Sequence, residues 1–308
     1  MNKFFNKSIM KITNVLFGLL VLLCVACNKS EKETPNGFKF TVLKAGDGKV
    51  GKVGQILVLD FQMQDSKDSV WTDTSKEGMP IPAMIADSTQ LATEPGMLQV
   101  LRMISKGDSV AFSVPLKELL AGRPPIPGMD TSMTIHYKVV VRDIMDREQY
   151  EIYQMKLMDS LSAKQLVIDV AAIDAFLAEK GIQAEKTEAG LRYVITKPGA
   201  GENCKPGQIA QVNYAGYMLD GQYFDTSVKE IAQEKGLFNE GRPYTPYAVT
   251  IDETQVINGW HQALKLMNKG AKATFYIPSP LAYGRQQRSE VIKPNSILVF
   301  DLEVVDVK

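Results

Sequence analysis

The sequence predicts an α+β protein built from two similar domains, each an antiparallel sheet wrapped around a short helix, joined by a helical linker. Three observations carry this reading. The chain repeats itself at a nearly constant offset. Within each copy, short segments that alternate with period two outnumber helical ones, which is the pattern of half-buried strands. Between the copies the apolar spacing changes to that of a helix.

The repeat is read residue by residue. Gly37-Phe38-Lys39-Phe40 matches Gly190-Leu191-Arg192-Tyr193 at an offset of 153, and Lys44, Gly46, Gly48, Lys52, Gly54, Gln55 and Ile56 meet Lys197, Gly199, Gly201, Lys205, Gly207, Gln208 and Ile209 at the same offset. Further on the offset is 163, where Gly96, Gln99, Leu101, Lys106, Gly107, Phe112 and Pro115 meet Gly259, Gln262, Leu264, Lys269, Gly270, Phe275 and Pro278. The second copy therefore carries a net ten extra residues, and Val228 to Tyr247 reads as an enlarged loop with a short helix.

In the second copy, Ile209–Tyr214 and Ala273–Ile277 alternate as strands, Ser296–Val305 is a Val/Leu/Ile-rich last strand, and Asp220-Gly221 signals a turn. Trp260, Ala263, Leu264 and Met267 share one face of a predicted helix over Asn258–Asn268, ended by Gly270. One helix against an antiparallel sheet is an α+β layer arrangement. In the linker, Tyr150, Tyr153, Leu157 and Leu161 keep helical spacing, as do Ile173, Phe176 and Leu177. Asp169 reads as an N-cap and Gly181 as a stop, so two helices, or one broken near Ser162–Gln165, are expected. Their apolar faces either pack on the flanking domains or form a dimerisation arm.

Composition narrows the function. Lys+Arg and Asp+Glu balance at 35 each among 308 residues, with 45% hydrophobic and 23% charged, the profile of an ordinary globular protein. No basic block points to nucleic acid. The histidines are His136 and His261, and no Cys/His cluster has metal-ligand spacing. No metal or cofactor is expected.

The N-terminus reads as an export signal. Lys3, Lys7 and Lys11 precede the apolar run Val15–Ala26, which is shorter than the ~20 residues of a membrane-spanning helix. Cys24-Val25-Ala26-Cys27 resembles the lipobox of bacterial lipoproteins, although Cys24 stands where that motif usually has Leu. The resemblance implies lipidation of Cys27; the plainer alternative is a cleaved signal with an incidental cysteine. Removal of residues 1–26 would leave Cys204 as the one unmodified thiol, so a fold held without an internal disulfide is expected. Cys204 sits in a polar stretch without a neighbouring base and reads as an inert loop residue.

Five motifs of the second copy carry a family resemblance. These are Val212-Asn213-Tyr214-Ala215-Gly216, Asp220-Gly221-Gln222-Tyr223-Phe224-Asp225-Thr226-Ser227, Val256-Ile257-Asn258-Gly259-Trp260, Ile277-Pro278-Ser279-Pro280-Leu281-Ala282-Tyr283-Gly284, and Leu298-Val299-Phe300-Asp301-Leu302-Glu303. Together they resemble the FKBP-type peptidyl-prolyl cis/trans isomerases over about Gly190 to Val307. The resemblance implies a proline pocket between sheet and helix. Trp260 would be its floor, and Tyr214, Phe224, Tyr247, Val249, Val256, Ile257 and Phe300 would line it. Asp225 and Tyr283 would supply polar contacts and Ile292 an apolar lip. Asn213 and Ala215 depart from the family pattern but alternate with Tyr214, so they are expected to face away. Lys293-Pro294 and Arg285–Glu290 also depart, which affects the rim.

In the first copy the frame persists and the pocket does not. Phe61 stands for Tyr214, Met97 for Trp260, Tyr137 for Phe300, Trp71 and Thr72 for Phe224 and Asp225, and around Leu119-Leu120-Ala121-Gly122 nothing replaces Tyr283. The expected organisation is a signal over 1–26, a tether over 27–36, a degenerate FKBP-like domain over 37–146, a helical linker over 147–186 and an isomerase domain over 187–308. The expected role is isomerisation of X-Pro bonds in exported polypeptides by a lipoprotein of a bacterial envelope, outer-membrane and facing the periplasm or the surface. The rival is a non-catalytic chaperone or assembly lipoprotein that grips apolar segments.

Overall fold

A computed structural model describes residues 30–87, 94–120, 123–124 and 130–308. Residues 1–26, Cys27, and Ala121 and Gly122 lie outside this set. The described chain forms two compact units divided between Tyr150 and Glu151.

The first unit contains β1 (Ser30–Glu33), β2 (Lys39–Lys44), β3 (Ile56–Asp65), β4 (Val70–Asp73), α1 (Thr74–Glu77), β5 (Ile81–Met84), α2 (Gly96–Val100), β6 (Ser109–Pro115), α3 (Leu116–Leu120) and β7 (Thr134–Met145). Among the described residues its sheet runs β1-β2-β6-β7-β3-β4, with β5 also paired to β3. α4 (Arg147–Glu179) follows.

The second unit adds β8 (Glu185–Lys186), β9 (Arg192–Lys197), β10 (Ile209–Met218), β11 (Tyr223–Thr226), α5 (Lys229–Glu234), β12 (Tyr247–Thr250), α6 (Asn258–Leu264), β13 (Lys272–Ile277), a 3₁₀ turn (Ser279–Leu281) and β14 (Leu298–Val307). Its sheet runs β11-β10-β14-β13-β9-β8, with β12 paired to β10. Strand for strand this is the order of the first unit, so the sequence repeat is a repeat of topology.

Alternation puts the core where the pattern predicts. Along β10 the buried Ala210, Val212 and Tyr214 face α6, whose Trp260, Ala263 and Leu264 are buried against them. In the first unit Leu57, Leu59, Val139 and Val141 do the same beneath Val100 and Ile104. One hydrogen bond is shared residue for residue: the N–H of Tyr214 donates to Ser227 Oγ at 2.9 Å, and the N–H of Phe61 donates to Thr74 Oγ1 at 2.9 Å.

Several expectations need correction. The segment expected as a tether contains β1, which pairs with β2, and Thr34 is buried beside it. The linker is one unbroken helix of 33 residues. Asp169 is not its N-cap but lies in its interior, 2% exposed, with its carboxylate bonded outside the helix. Gly181 does act as the stop, at φ 65°, and the N–H of Ile182 closes back onto the Leu177 carbonyl at 2.9 Å. α6 ends at Leu264, and Gly270 serves the following turn at φ 85°. The last strand is Leu298–Val307. Cys204 is in a loop but buried, its N–H bonded to the Met267 carbonyl, and burial pushes its thiol pKa up.

The second half of α4 belongs to the second unit. Ile173 and Leu177 are buried against Tyr276 and Val299 on the outer face of the sheet. Asp174 pairs with the buried Arg192 of β9 at 2.7 Å and 3.1 Å. The first half of α4 instead leaves Ile152 and Met155 exposed.

Candidate active site

Two glycines decide the shape of the site. A Cβ on Gly216 would lie 2.7 Å from both the Phe224 and Phe300 rings, so only glycine lets these rings cross β10. A Cβ on Gly259 would lie 2.5 Å from Ile277, so glycine lets the start of α6 press onto β13. Trp260, one residue later, is thereby held against the sheet at 5% exposure. The two motif glycines are packing requirements at the places where the aromatic walls approach the backbone.

The aromatics form a box of edge-to-face contacts, the arrangement favoured by ring quadrupoles. Trp260 meets Phe300 at 5.2 Å and 88°, Tyr214 at 5.1 Å and 73°, and Tyr247 at 6.4 Å and 80°. Phe224 meets Phe300 at 5.6 Å and 81°. They enclose a cleft of about 490 Å³, which Val256, Ile257, Tyr283, Ile292 and Asp225 also line. Trp260 Nε1 is buried and lacks a hydrogen-bond partner among the described residues.

One polar cluster stands in this wall. The Tyr214 hydroxyl donates to Asp225 Oδ2 at 2.7 Å, Arg242 Nη1 donates to Asp225 Oδ1 at 2.5 Å, and Arg242 Nη2 donates to the Tyr214 oxygen at 2.8 Å. Burial, reinforced by the Asp225 carboxylate, pushes the Tyr214 phenol well above its ordinary pKa. At neutral pH it is a fixed donor, and the carboxylate is held by two partners.

Of the residues expected at the pocket, Tyr214, Phe224, Asp225, Tyr247, Val256, Ile257, Trp260, Tyr283, Ile292 and Phe300 are brought together around this cleft. Val249 is not among its lining residues: it is fully buried on β12, paired with Ala210 and packed in the core behind it. Ile292 is a wall at 7% exposure, not a lip. Asn213 and Ala215 face away, lining a separate cleft of about 390 Å³ on the other side of the sheet with Thr274, Asp301 and Glu303.

Sequence reasoning missed Arg242, Gln255, Arg288 and Ser289. Arg242 lies in the enlarged loop, where no periodicity indicates direction. Arg288 stacks its guanidinium 5.0 Å over the Tyr283 ring and, with Gln255 and Ser289, lines the cleft.

In the first unit Phe61 lacks the hydroxyl of Tyr214, and Phe61 and Tyr137 pack at 5.5 Å. The β4 register places Thr72 opposite Met63, as Asp225 lies opposite Gly216. Trp71 is 39% exposed and donates its indole N–H to Asp65 at 3.1 Å. The carboxylate–phenol pair therefore has no counterpart there.

Known proteins are similar to this chain in sequence. A family model described as FKBP-type peptidyl-prolyl cis-trans isomerase matches residues 200–305. A probable FKBP-type peptidyl-prolyl cis-trans isomerase of Haemophilus influenzae is 36% identical over 176 residues, 55% of this chain and 67% of that protein. The chain belongs to the FKBP-type peptidyl-prolyl isomerase family. Another FKBP relative, the probable FkpA of Neisseria meningitidis, is 35% identical over 53% of this chain, which spans 58% of that protein's length. The FkpA of Escherichia coli is 37% identical over 44% of this chain and 43% of its own. A crystal structure of Escherichia coli FkpA superposes with a TM-score of 0.36 at 30% identity, covering 52% of this chain and 70% of that one.

Proposed function

We propose that this protein is a prolyl isomerase whose activity resides in the second unit and whose substrates are X-Pro bonds of exported polypeptides. The observation that carries the reading is the edge-to-face box of Tyr214, Phe224, Trp260 and Phe300, closed on one side by the Asp225–Tyr214–Arg242 cluster.

The physical argument is short. Isomerisation requires loss of C–N double-bond character, with a barrier of about 18–20 kcal/mol. No covalent bond breaks, so neither nucleophile nor cofactor is called for. A dry aromatic box disfavours the polar planar amide relative to its twisted form, while the ring contacts hold proline and the preceding carbonyl turns. Each ~1.36 kcal/mol removed from the barrier is tenfold in rate. In this reading Tyr283 donates to a substrate carbonyl and Asp225 holds the Tyr214 wall. Tyr247, Val256, Ile257 and Ile292 enclose the substrate.

We further propose that Cys27 is lipidated and tethers the protein to a bacterial envelope membrane. The support is the short apolar run and Ala26-Cys27. The first unit has the same topology without the carboxylate–phenol pair, which supports a peptide-holding rather than catalytic role. A proline-limited refolding assay tests the whole reading. Acceleration by the full mature chain, abolished by pocket substitutions, is expected; suppressed aggregation without acceleration would favour the chaperone alternative.

A further inference from the structure

Asp169 is a buried carboxylate of α4, nearly three turns before the end of the helix, and one of its two bonds leaves the helix. Oδ2 accepts from the backbone N–H of Ser279 at 2.7 Å, and Oδ1 accepts from Gln165 Nε2 at 2.6 Å. Asp169 is 2% exposed and Ser279 fully buried. A carboxylate placed in such a site must be hydrogen-bonded to be tolerated, and here both oxygens have a donor.

Ser279 opens the 3₁₀ turn that leads to Tyr283. It follows Pro278, which has no N–H, so the Ser279 N–H is the first donor after β13. The Ser279 carbonyl accepts from the N–H of Ala282 at 2.9 Å and from the N–H of Gly284 at 2.8 Å. These are the two residues flanking Tyr283. The Gly284 carbonyl in turn accepts from the N–H of Asn295 at 2.7 Å. The backbone around Tyr283 is thus closed on Ser279, and Ser279 is tied to α4 by one carboxylate. Tyr283 also lines a second cleft, of about 240 Å³, whose other wall includes Leu161, Ser162 and Gln165 of α4. Tyr283 therefore borders both the aromatic cleft and the cleft against the helix.

We propose that Asp169 is a positioning residue for the isomerase reaction: through Ser279 it fixes the turn that presents Tyr283 to the substrate, so the linker helix is part of the catalytic unit. The inference rests on the isomerase reading above. It explains why an acid occupies a buried position inside a helix, where its own backbone has no use for it.

The test uses the full mature chain with Asp169→Ala, Asp169→Asn, Gln165→Ala and Tyr283→Phe, assayed for kcat/KM on a prolyl peptide well below each melting temperature. Asp169→Ala is expected to lower kcat/KM about two- to tenfold, no more than loss of the Tyr283 hydroxyl itself, because Asp169 acts only through that group. Asp169→Asn keeps an acceptor for Ser279 and is expected to restore most of the activity. Gln165→Ala, which only loosens the carboxylate, gives a smaller loss in the same direction and serves if Asp169→Ala does not fold. The deciding readout is coupling: once Asp169→Ala is present, Tyr283→Phe should cost little more, because the hydroxyl is already misplaced. A merely structural role leaves the two losses multiplicative, and that result, or full activity in Asp169→Ala, overturns the proposal. An inactive parent chain overturns the isomerase reading itself, a different outcome from an active parent indifferent to Asp169.

Discussion

The Tyr214 hydroxyl and the Asp225 carboxylate are joined at 2.7 Å across neighbouring strands, and the counterparts of both in the first unit, Phe61 and Thr72, can make no such bond. The frame is common to both units; this pair is not. Asp225→Asn keeps the shape and removes the charge that receives Arg242. Hydrogen bonds to charged groups are worth about 1.5–3 kcal/mol, so a loss of about ten- to a hundredfold in kcat/KM is expected. The rim of the pair is open to solvent, which places the expectation near the lower figure. Tyr283→Phe deletes one hydroxyl and is expected to cost about two- to tenfold. Both variants should melt near the parent temperature by calorimetry.

The two tryptophans offer a direct view of the pocket. Trp260 is 5% exposed at its floor and Trp71 is 39% exposed in the first unit. A prolyl peptide is expected to change the emission of Trp260 and leave that of Trp71 unaltered. Titrating the Trp71→Phe variant, which retains Trp260, should reproduce the full signal. A signal lost with Trp71 would locate binding in the first unit. Trp260→Ala is a poorer test, since such truncations cost about 3–5 kcal/mol of stability.

The limits of the active fragment follow from α4. A fragment over Glu151–Lys308 should fold and hold nearly all isomerase activity, and one over Ser30–Tyr150 should fold and be inactive. A shorter fragment over Lys186–Lys308 would uncover Tyr276 and Val299 and leave Arg192 without Asp174. Removing single buried aliphatic side chains such as Ile173 or Leu177 costs about 2–5 kcal/mol. The short fragment should therefore melt well below the long one. Equal melting temperatures would show that α4 is only a spacer.

Activity should be flat with pH through the neutral range, because the Tyr214 phenol and the Cys204 thiol are both pushed upward and stay protonated there. Stability has two edges. Tyr214, Tyr217 and Tyr276 are raised above 10.0, each by burial first. Their stabilising contribution is full below that value and is lost as pH rises from it toward their folded values, because the unfolded chain ionises first. Asp174 is held below 3.8 by the hydrogen bond from Arg192. Its contribution is full above that value and is lost as pH falls through the lower, folded one. Denaturant midpoints at pH 5 to 11 should be level and then decline above about pH 10. A limb near pH 6.5 in kcat/KM would point to a histidine and to acid–base chemistry.

Cys27→Ser should release the protein from membranes if lipid is the anchor. Fractionation read with intact-mass measurement of the parent decides it: an unmodified Cys27 in the membrane fraction would end the lipoprotein reading.

The two-fold repeat, its strand-rich copies and the aromatic set of the pocket are legible in the sequence, the first two from local pattern and the third from the family motifs. Strand alternation is local: it places Tyr214 inward and Asn213 and Ala215 outward without knowledge of any partner. The glycines at 216 and 259 were legible as motif members, but their reason, close approach of Phe224, Phe300 and Ile277, appears only in the fold. Three features depend on long-range packing. Arg242 reaches Asp225 from a loop, where side-chain direction follows no period. Val249 falls behind the wall because β12 joins β10 in a register that turns it into the core. Asp169 resembles a helix start, because the same short carboxylate that caps its own helix caps any other unpaired N–H with equal chemistry. Which N–H it finds depends on what packs beside it, and here that is Ser279, 110 residues away in the chain.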